Sequence, residues 1–333
     1  MIFPWQLSLS LGSYVAGNKL RGRKRFPMVL MLEPTFACNL SCAGCGRVRE
    51  DVDIAHRMLS LEECMAAVDD SGAPVVSIAG GEPLLHPRID AIVEGIVQRK
   101  RFIYLCTNGI AMARSIQKFE PSPYFSFVFH LDGLAATHDG IVGRNGIFQT
   151  AIAGIKAAKE AGFQVRTNTT LFKGAKPEET LELFSLLSSL GVDGMMIAPG
   201  FSYEEVGNDI FLSRAEAVET FRSIYEPLTR FRLHNSPMYI QFLTGRRELQ
   251  CTPWSTPTRN PKGWKKPCYL LADGYCDSFR ELMEETPWER YGVGRDPRCA
   301  NCMVHSGFEA SAMDEAGKSL PDMWHMASWA LLS

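Results

Sequence analysis

Residues 28–45 read MVLMLEPTFACNLSCAGC: an apolar, β-prone run that passes straight into a short loop carrying Cys38, Cys42 and Cys45. A strand that delivers chemistry-bearing side chains onto the loop at its carboxyl end is the arrangement of parallel α/β folds, whose sites are built there. Working outward, further β-rich runs lie at 74–79, 102–107, 125–131, 163–170 and 194–198, each followed by a polar or glycine-bearing loop. Between them, 61–68, 89–98, 147–161 and 178–190 carry apolar residues at helical spacing, with Ser60 and Pro177 as start signals. Strand and helix alternating about six times predict an α/β fold whose parallel sheet closes only partly, a (β/α)6 TIM-like partial barrel over residues 26–230. From about Phe231 the rhythm breaks into Pro-, Trp- and Gly-rich sequence such as TPWSTPTRNPKGWKKPC, so residues 231–333 read as a separate, loop-rich, cysteine-containing extension. Residues 1–25 form an amino-terminal arm.

The chain has 333 residues, 46% hydrophobic and 22% charged, with a formal net charge of -2. This is the composition of a folded globular protein, not of a disordered tail or a coiled coil, and it gives no reason to expect a nucleic-acid partner. No apolar run approaches the ~20 residues needed to cross a bilayer, and the start MIFPWQ lacks the basic region and cleavage site of a secretory signal. The expected location is cytoplasmic.

The 10 cysteines are too few for a disulfide scaffold and too clustered for random core filling. Cys38, Cys42 and Cys45 form one group, Cys251, Cys268, Cys299 and Cys302 a second, and Cys64, Cys106 and Cys276 stand apart. A cubane iron–sulfur cluster normally takes four thiolates, so the three close ligands of the first group leave one iron free to hold an external molecule. Structural zinc and free thiols are the competing assignments; zinc would have to borrow a distant fourth ligand.

CNLSCAGC, together with GGEP at Gly80, Gly81, Glu82 and Pro83 after the second strand, closely resembles the radical S-adenosylmethionine (SAM) superfamily. Alone, GGEP would be read as a turn. The resemblance implies a 4Fe-4S cluster on Cys38, Cys42 and Cys45 whose open iron chelates SAM. The GGEP backbone and glutamate would help hold its methionine end, since glycines let the backbone approach a ligand and a carboxylate suits an ammonium. The residue before the third cysteine, often aromatic in the family, is here Gly44.

LRGRKRFPMVLMLEPTFACNLSCAGCG, APVVSIAGGEPLLHP, FIYLCTNG, PSPYF, HLDG, TNTTLF, CTPWSTPTRNPKGWKKPCYL and YGVGRDPRCANCMVH are similar, over nearly the whole chain, to the adenosylhopane synthases of hopanoid biosynthesis. Departures fall at residues 48–53, where that branch has an aromatic-containing stretch, and at Cys276. The resemblance implies reductive cleavage of SAM and addition of the 5′-deoxyadenosyl radical to the terminal alkene of diploptene. A hydrogen atom then quenches the resulting tertiary radical to give adenosylhopane. Diploptene and a flavodoxin- or ferredoxin-type reductant would be the partners. Two other functions stay open: a radical SAM enzyme that adenosylates, or abstracts hydrogen from, a different polyprenoid, and a non-catalytic iron–sulfur electron carrier or sensor.

Cys106 is the candidate hydrogen-atom donor. Strand alternation places Phe102, Tyr104, Cys106 and Asn108 on one face, the last two at the carboxyl end. A small buried hydrophobe is the competing assignment. Asn108, His130, Asp132 and Asn168 stand at strand ends and offer the donors and acceptors that a ribose or a methionine carboxylate requires, though each could equally cap its own loop. His86 and the exposed-looking His138 read as structural, and Cys64 and Cys276 as packing or incidental thiols.

In the second group, Cys251 and Cys268 flank a turn at Gly263, and Cys299 and Cys302 form a CxxC beyond a helix-like stretch. Four thiolates can close a second cluster, and the pattern resembles the shortened auxiliary-cluster module, called twitch, of some radical SAM enzymes. Its role would be electron transfer or the stapling of loops, with four-cysteine zinc as the rival metal. Near the amino terminus, Leu7, Leu11, Tyr14 and Val15 share a helical face, followed by Lys19, Arg21, Arg23, Lys24 and Arg25. That arm either lies peripherally on the inner face of the membrane or caps the open bottom or side of the barrel, the basic run being then a solvated charge run.

Overall fold

The structure, a computed structural model, describes residues 5–47, 54, 56–207 and 209–332. Six strands, β1 (Val29–Leu32), β2 (Val75–Ile78), β3 (Phe102–Thr107), β4 (Phe125–His130), β5 (Gln164–Leu171) and β6 (Gly194–Pro199), pair in parallel in chain order. Each βα unit crosses over to lie beside its predecessor, which yields the partial barrel. Alternation along the strands separates two faces. Leu30, Leu32, Val76, Ile78, Ile103, Leu105, Phe125, Phe127, Phe129, Val165 and Ile197 are sealed against the surrounding helices in one continuous core. The alternate positions, Ser77, Tyr104, Cys106, His130, Arg166 and Asn168 among them, face the interior of the barrel.

The helices begin where local chemistry directs. Ser60 accepts from the Glu63 amide while the Glu63 carboxylate accepts from the Ser60 amide, and Pro177 opens the Pro177–Ser189 helix. The first of these helices runs to Ser71, three residues past the expected end at 68. Asp69 is held by both arms of Arg99, Ser71 Oγ bonds the Val68 carbonyl, and only Gly72, at φ +58°, turns the chain away.

The amino-terminal helix α1 (Trp5–Leu20) caps the barrel. Leu7 is buried with Val75 and Phe102, and Leu11, Val29, Tyr104 and Tyr124 close around them, so this face lies across the amino-terminal ends of β1 to β4. The face read as membrane-binding is therefore turned inward, because the open bottom of a partial barrel is the larger apolar surface within reach.

The carboxyl-terminal section, expected as a separate unit, is instead woven into the sheet. β7 (Thr258–Asn260) pairs in parallel with β1, and β8 (Gly263–Pro267) and β9 (Ala272–Cys276) follow as antiparallel strands. On the far edge, the Met195 amide bonds the Arg232 carbonyl, the His234 amide bonds the Met195 carbonyl, and Asn235 Oδ1 accepts from Ile197. Both edges of the barrel sheet are thus closed by residues beyond 230, which satisfies backbone groups that an open edge would leave bare. Since Leu7 fills the bottom of the barrel, Leu7→Ala is expected to cost about 2–4 kcal/mol, read as a lower urea midpoint at unchanged slope.

Candidate functional site

The cysteine loop is fastened at both ends. Glu33, fully buried at the end of β1, forms an ion pair with Arg47, whose Nε lies at 2.9 Å, and accepts from Asn260 Nδ2 at 3.1 Å. Arg47 also donates to the Tyr269 carbonyl at 3.0 Å and lies over the Tyr269 ring. Inside the loop, the Ala43 amide bonds the Ile141 carbonyl and the Cys45 amide bonds the Cys42 carbonyl. Cys38 and Cys42 pack beside Leu40, Ile110, Val142 and Ile147. Residues 48–53, where the sequence departs from the adenosylhopane synthases, lie outside the described residues.

GGEP lines the other side of this loop. The Gly81 amide bonds the Thr35 carbonyl and the Glu82 amide bonds the Ala37 carbonyl. Gly80 sits at φ +100°, and a Cβ there would stand 2.6 Å from the Thr35 oxygen, while one at Gly81 would overlap the Ala37 carbonyl. Both glycines are required by close approach to the cysteine loop. The Glu82 side chain departs from expectation. Its carboxylate is buried and accepts from the Leu84 amide, the Thr107 hydroxyl and the Asn108 amide at 2.8 to 3.1 Å. It ties the GGEP turn to the end of β3 and is not left open for an ammonium. Burial raises its pKa against these three bonds.

Asn108 continues the fastening. It donates to Asn39 Oδ1 at 2.7 Å, in the cysteine loop, and its own Oδ1 accepts from Ile110. Across the barrel, His130 Nε2 meets Asp132 Oδ2 at 2.7 Å, and Asp132 Oδ1 accepts from the Thr170 amide. Burial opposes the His130 imidazolium, but the charge and hydrogen bond of Asp132 outweigh it and the pKa rises. His138 is buried, not exposed, because the inner side of the Ala135–Val142 helix faces the site. It accepts from the Asp132 amide, and burial, then His130, push its pKa down to about 4. His86 is likewise buried, bonded to the Leu59 carbonyl. Asn168 stands opposite His130 in register, and its Oδ1 is buried without a hydrogen-bond partner, the condition of an acceptor awaiting a ligand.

Burial pushes the Cys38 thiol up to about 11 and the Cys42 thiol to about 12, the neighbouring thiols adding to the rise. Such groups become thiolates only beside a strong positive charge, which iron supplies. Among the described residues, no three His, Cys, Asp or Glu side chains already converge in metal-holding geometry, so the thiols would re-aim on loading. The donor set and the orphaned Asn168 oxygen nevertheless fit a cluster with SAM beside it. A Cβ on Gly44 would strike the Phe172 ring at 2.5 Å, and one on Gly46 would overlap Tyr203. An aromatic ring brought in from the end of β5 thus stands where the sequence omits one at 44.

Cys106 lies in the barrel interior with Ser77 Oγ at 3.9 Å, and burial pushes its thiol up to about 11, keeping it S–H at neutral pH. Beneath it the interior is polar: Tyr104 OH meets His234 Nε2 at 2.8 Å, and Arg166 stacks over the Tyr104 ring and bonds Ser126 and Gln164. Sequence reading missed Glu33, Arg47, Phe172, Arg166 and His234. Only Glu33, a carboxylate ending an apolar strand, and Arg47, two residues past Cys45, left a local signal.

Cys251, Cys268, Cys299 and Cys302 line one cavity, with Leu270, Tyr291 and Gly307 around them. Burial raises Cys251 well above its ordinary value, and Cys302, Cys268 and Cys299 each add to the shift. Gly307 leaves room, since a Cβ there would stand 2.8 Å from Cys251 Sγ. Tyr269, next to Cys268, is the residue that Arg47 contacts, so the two cysteine groups are joined through it. Cys64 and Cys276 are buried away from both groups, Cys64 in the main core and Cys276 on β9 opposite Trp264.

Residues 32–187 match the family model of the radical SAM superfamily, and residues 195–326 match a domain of unknown function, DUF3463. The chain is 24% identical over 284 residues to pre-heme d1 synthase of Dinoroseobacter shibae, covering 80% of this chain and 70% of that protein. It is 26% identical over 277 residues to GTP 3',8-cyclase of Nostoc punctiforme, covering 75% and 83%. With AdoMet-dependent heme synthase of Methanosarcina barkeri it shares 30% identity over 170 residues, spanning 50% of this chain and 48% of that protein. In fold it resembles Streptococcus suis SuiB bound to the precursor peptide SuiA, with a TM-score of 0.66 at 16% identity, covering 96% of this chain and 79% of that one.

Two measurements follow from this geometry. Anaerobically reconstituted protein is expected to hold about eight irons, and Cys42→Ala and Cys268→Ala about four each, with SAM cleavage lost in Cys42→Ala; zinc in place of iron at the second group would show as four irons in the wild type. For His138, the folded imidazole stays neutral down to about pH 4, whereas an unfolded one takes up its proton below about 6.5. Stability is therefore lost as pH falls from 6.5 towards 4, by about 3 kcal/mol at most, and His138→Gln is expected to flatten that slope in urea melts. His130, shifted the other way, contributes stability that disappears as pH rises, so the comparison is of variant with wild type.

Proposed function

We propose that this chain, whose residues 32–187 match the radical SAM superfamily, is a radical SAM enzyme and, within that superfamily, an adenosylhopane synthase, forming a carbon–carbon bond between the adenosyl group and diploptene. Radical SAM enzymes use a 4Fe-4S cluster and SAM. Cys38, Cys42 and Cys45 would hold that cluster, which would supply the electron that cleaves SAM to methionine and a 5′-deoxyadenosyl radical. The GGEP backbone and Asn168 Oδ1 are the candidate contacts for the SAM molecule.

The observation that carries the reading is Cys106, a half-buried, protonated thiol on the interior face of β3. Addition of the adenosyl radical to the terminal CH2 of the alkene leaves a tertiary carbon radical. Cys106 gives that carbon its hydrogen atom, a downhill transfer because the S–H bond is weaker than the tertiary C–H bond formed. The thiyl left behind takes up one electron and one proton to restore the thiol. The electron would come from a flavodoxin- or ferredoxin-type reductant, and Cys251, Cys268, Cys299 and Cys302 would hold a second cluster that could pass it on.

A second reading, action on a different polyprenoid, is favoured by Arg166. Its Nε is buried in the barrel without a hydrogen-bond partner, a group better matched by a substrate with a polar or anionic end than by a pure hydrocarbon.

The test is an anaerobic incubation with SAM, a strong reductant and diploptene in deuterated solvent, read by mass spectrometry. The expected product has the mass of alkene plus adenosyl plus one solvent-derived deuterium. Cys106→Ala is expected to form the adenosyl–carbon bond without the normal saturated product. Release of free 5′-deoxyadenosine alone would overturn the assignment, and unchanged product from Cys106→Ala would remove that residue's role.

A further inference from the structure

We propose that the end of α1, the basic run after it and the Leu320–Leu332 helix together form a docking surface for anionic phospholipid membranes. This goes beyond the reaction and does not depend on which substrate is used. Along that helix, Leu320, Met323 and Trp324 fall at spacings of three and four, on one face, and are 78%, 44% and 76% exposed. Met326 turns the other way and packs on the core, so the helix has an anchored side and an outward apolar side. Leu20, at the end of α1, is 88% exposed.

The two elements are neighbours. Lys19 Nζ pairs with Asp314 at 2.8 Å, and a Cβ on Gly317 would stand 3.2 Å from the same nitrogen. The last turn of α1 therefore sits against the bend that leads into the Leu320–Leu332 helix. Four large apolar side chains exposed on two neighbouring elements, a tryptophan among them, are uncommon on a molecule surrounded only by water.

Charge selects the partner. Arg21, Arg23, Lys24 and Arg25 are all exposed immediately after Leu20, and none has a carboxylate within ion-pair distance among the described residues. The carboxylates nearby are already neutralised: Asp314 by Lys19 and Lys318, Glu315 by Lys318, and Asp322 by Arg247. What remains is an apolar face bordered by uncompensated positive charge, the pattern that lies in the headgroup region of an anionic bilayer. Among the described residues no helix is long and apolar enough to cross a membrane, so the contact is peripheral. It replaces the surface expected from sequence, since Leu7 and Leu11 are turned into the barrel and the exposed residues lie elsewhere.

The experiment is flotation of the reconstituted full chain with vesicles of phosphatidylcholine and phosphatidylglycerol at three to one, against vesicles of phosphatidylcholine alone. Wild-type protein is expected to bind the anionic vesicles about tenfold more tightly, with the preference fading as salt rises and the screening length shrinks. Leu320→Ser with Trp324→Ser is expected to lose most binding to both vesicles at unchanged SAM cleavage. Arg21→Glu with Lys24→Glu is expected to lose only the anionic preference, Arg23 and Arg25 being spared because they contact Asn18 and Trp254. Failure of the wild type to float with anionic vesicles, or equal binding by both variants, would overturn the proposal. So would sedimentation of the wild type as a dimer that Leu320→Ser with Trp324→Ser converts to monomer, for the face would then join two copies of the chain.

Discussion

The contact on which the site depends is the ion pair between Glu33 and Arg47, sealed from water at 2.9 Å. Fourteen positions apart, these residues bracket the loop that carries Cys38, Cys42 and Cys45, so the pair closes that loop into a ring of fixed span. Breaking a buried pair by removing one partner typically costs 3–5 kcal/mol, because the other charge is stranded. Here the pair is also satisfied from outside, by Asn260 against Glu33 and by the Tyr269 carbonyl against Arg47. One electrostatic knot thus ties the first strand, the cysteine loop and the carboxyl-terminal section together.

Burial serves opposite ends in two parts of the molecule. Around Cys38 and Cys42 it makes bare thiols reluctant to ionise, which leaves them dependent on a metal's positive charge. Around Cys106 the same desolvation preserves the hydrogen that a carbon radical would take. The layer beneath, where Tyr104, His234 and Arg166 interlock, closes the interior with polar groups, so the hydrocarbon part of a substrate would stop at Cys106.

The periodic part of the fold was legible in the sequence. β3 and the Ile89–Gln98 helix fall at their expected bounds, and the Ser60 cap and the alternation that turns Cys106 inward follow from local rules. What was hidden depends on partners distant in the chain. The three-residue β7 and the single bridge at Leu233 are too short to show a period, yet they close both sheet edges. The sequence around His138 gives no sign that its helix faces inward. Glu82 looks like a ligand contact until Thr107 and Asn108 arrive to occupy it, and Gly44 looks like a missing aromatic until Phe172 crosses to fill its place.

Closure of both edges from beyond residue 230 also has a bearing on how the chain comes into being. During synthesis the six parallel strands leave the ribosome before Arg232–Asn235 and β7 exist, so the nascent half-barrel carries two raw margins of unpaired backbone. At roughly 5–20 residues per second that interval lasts several seconds. Until the last third of the chain emerges, those margins stay open to pairing with other chains.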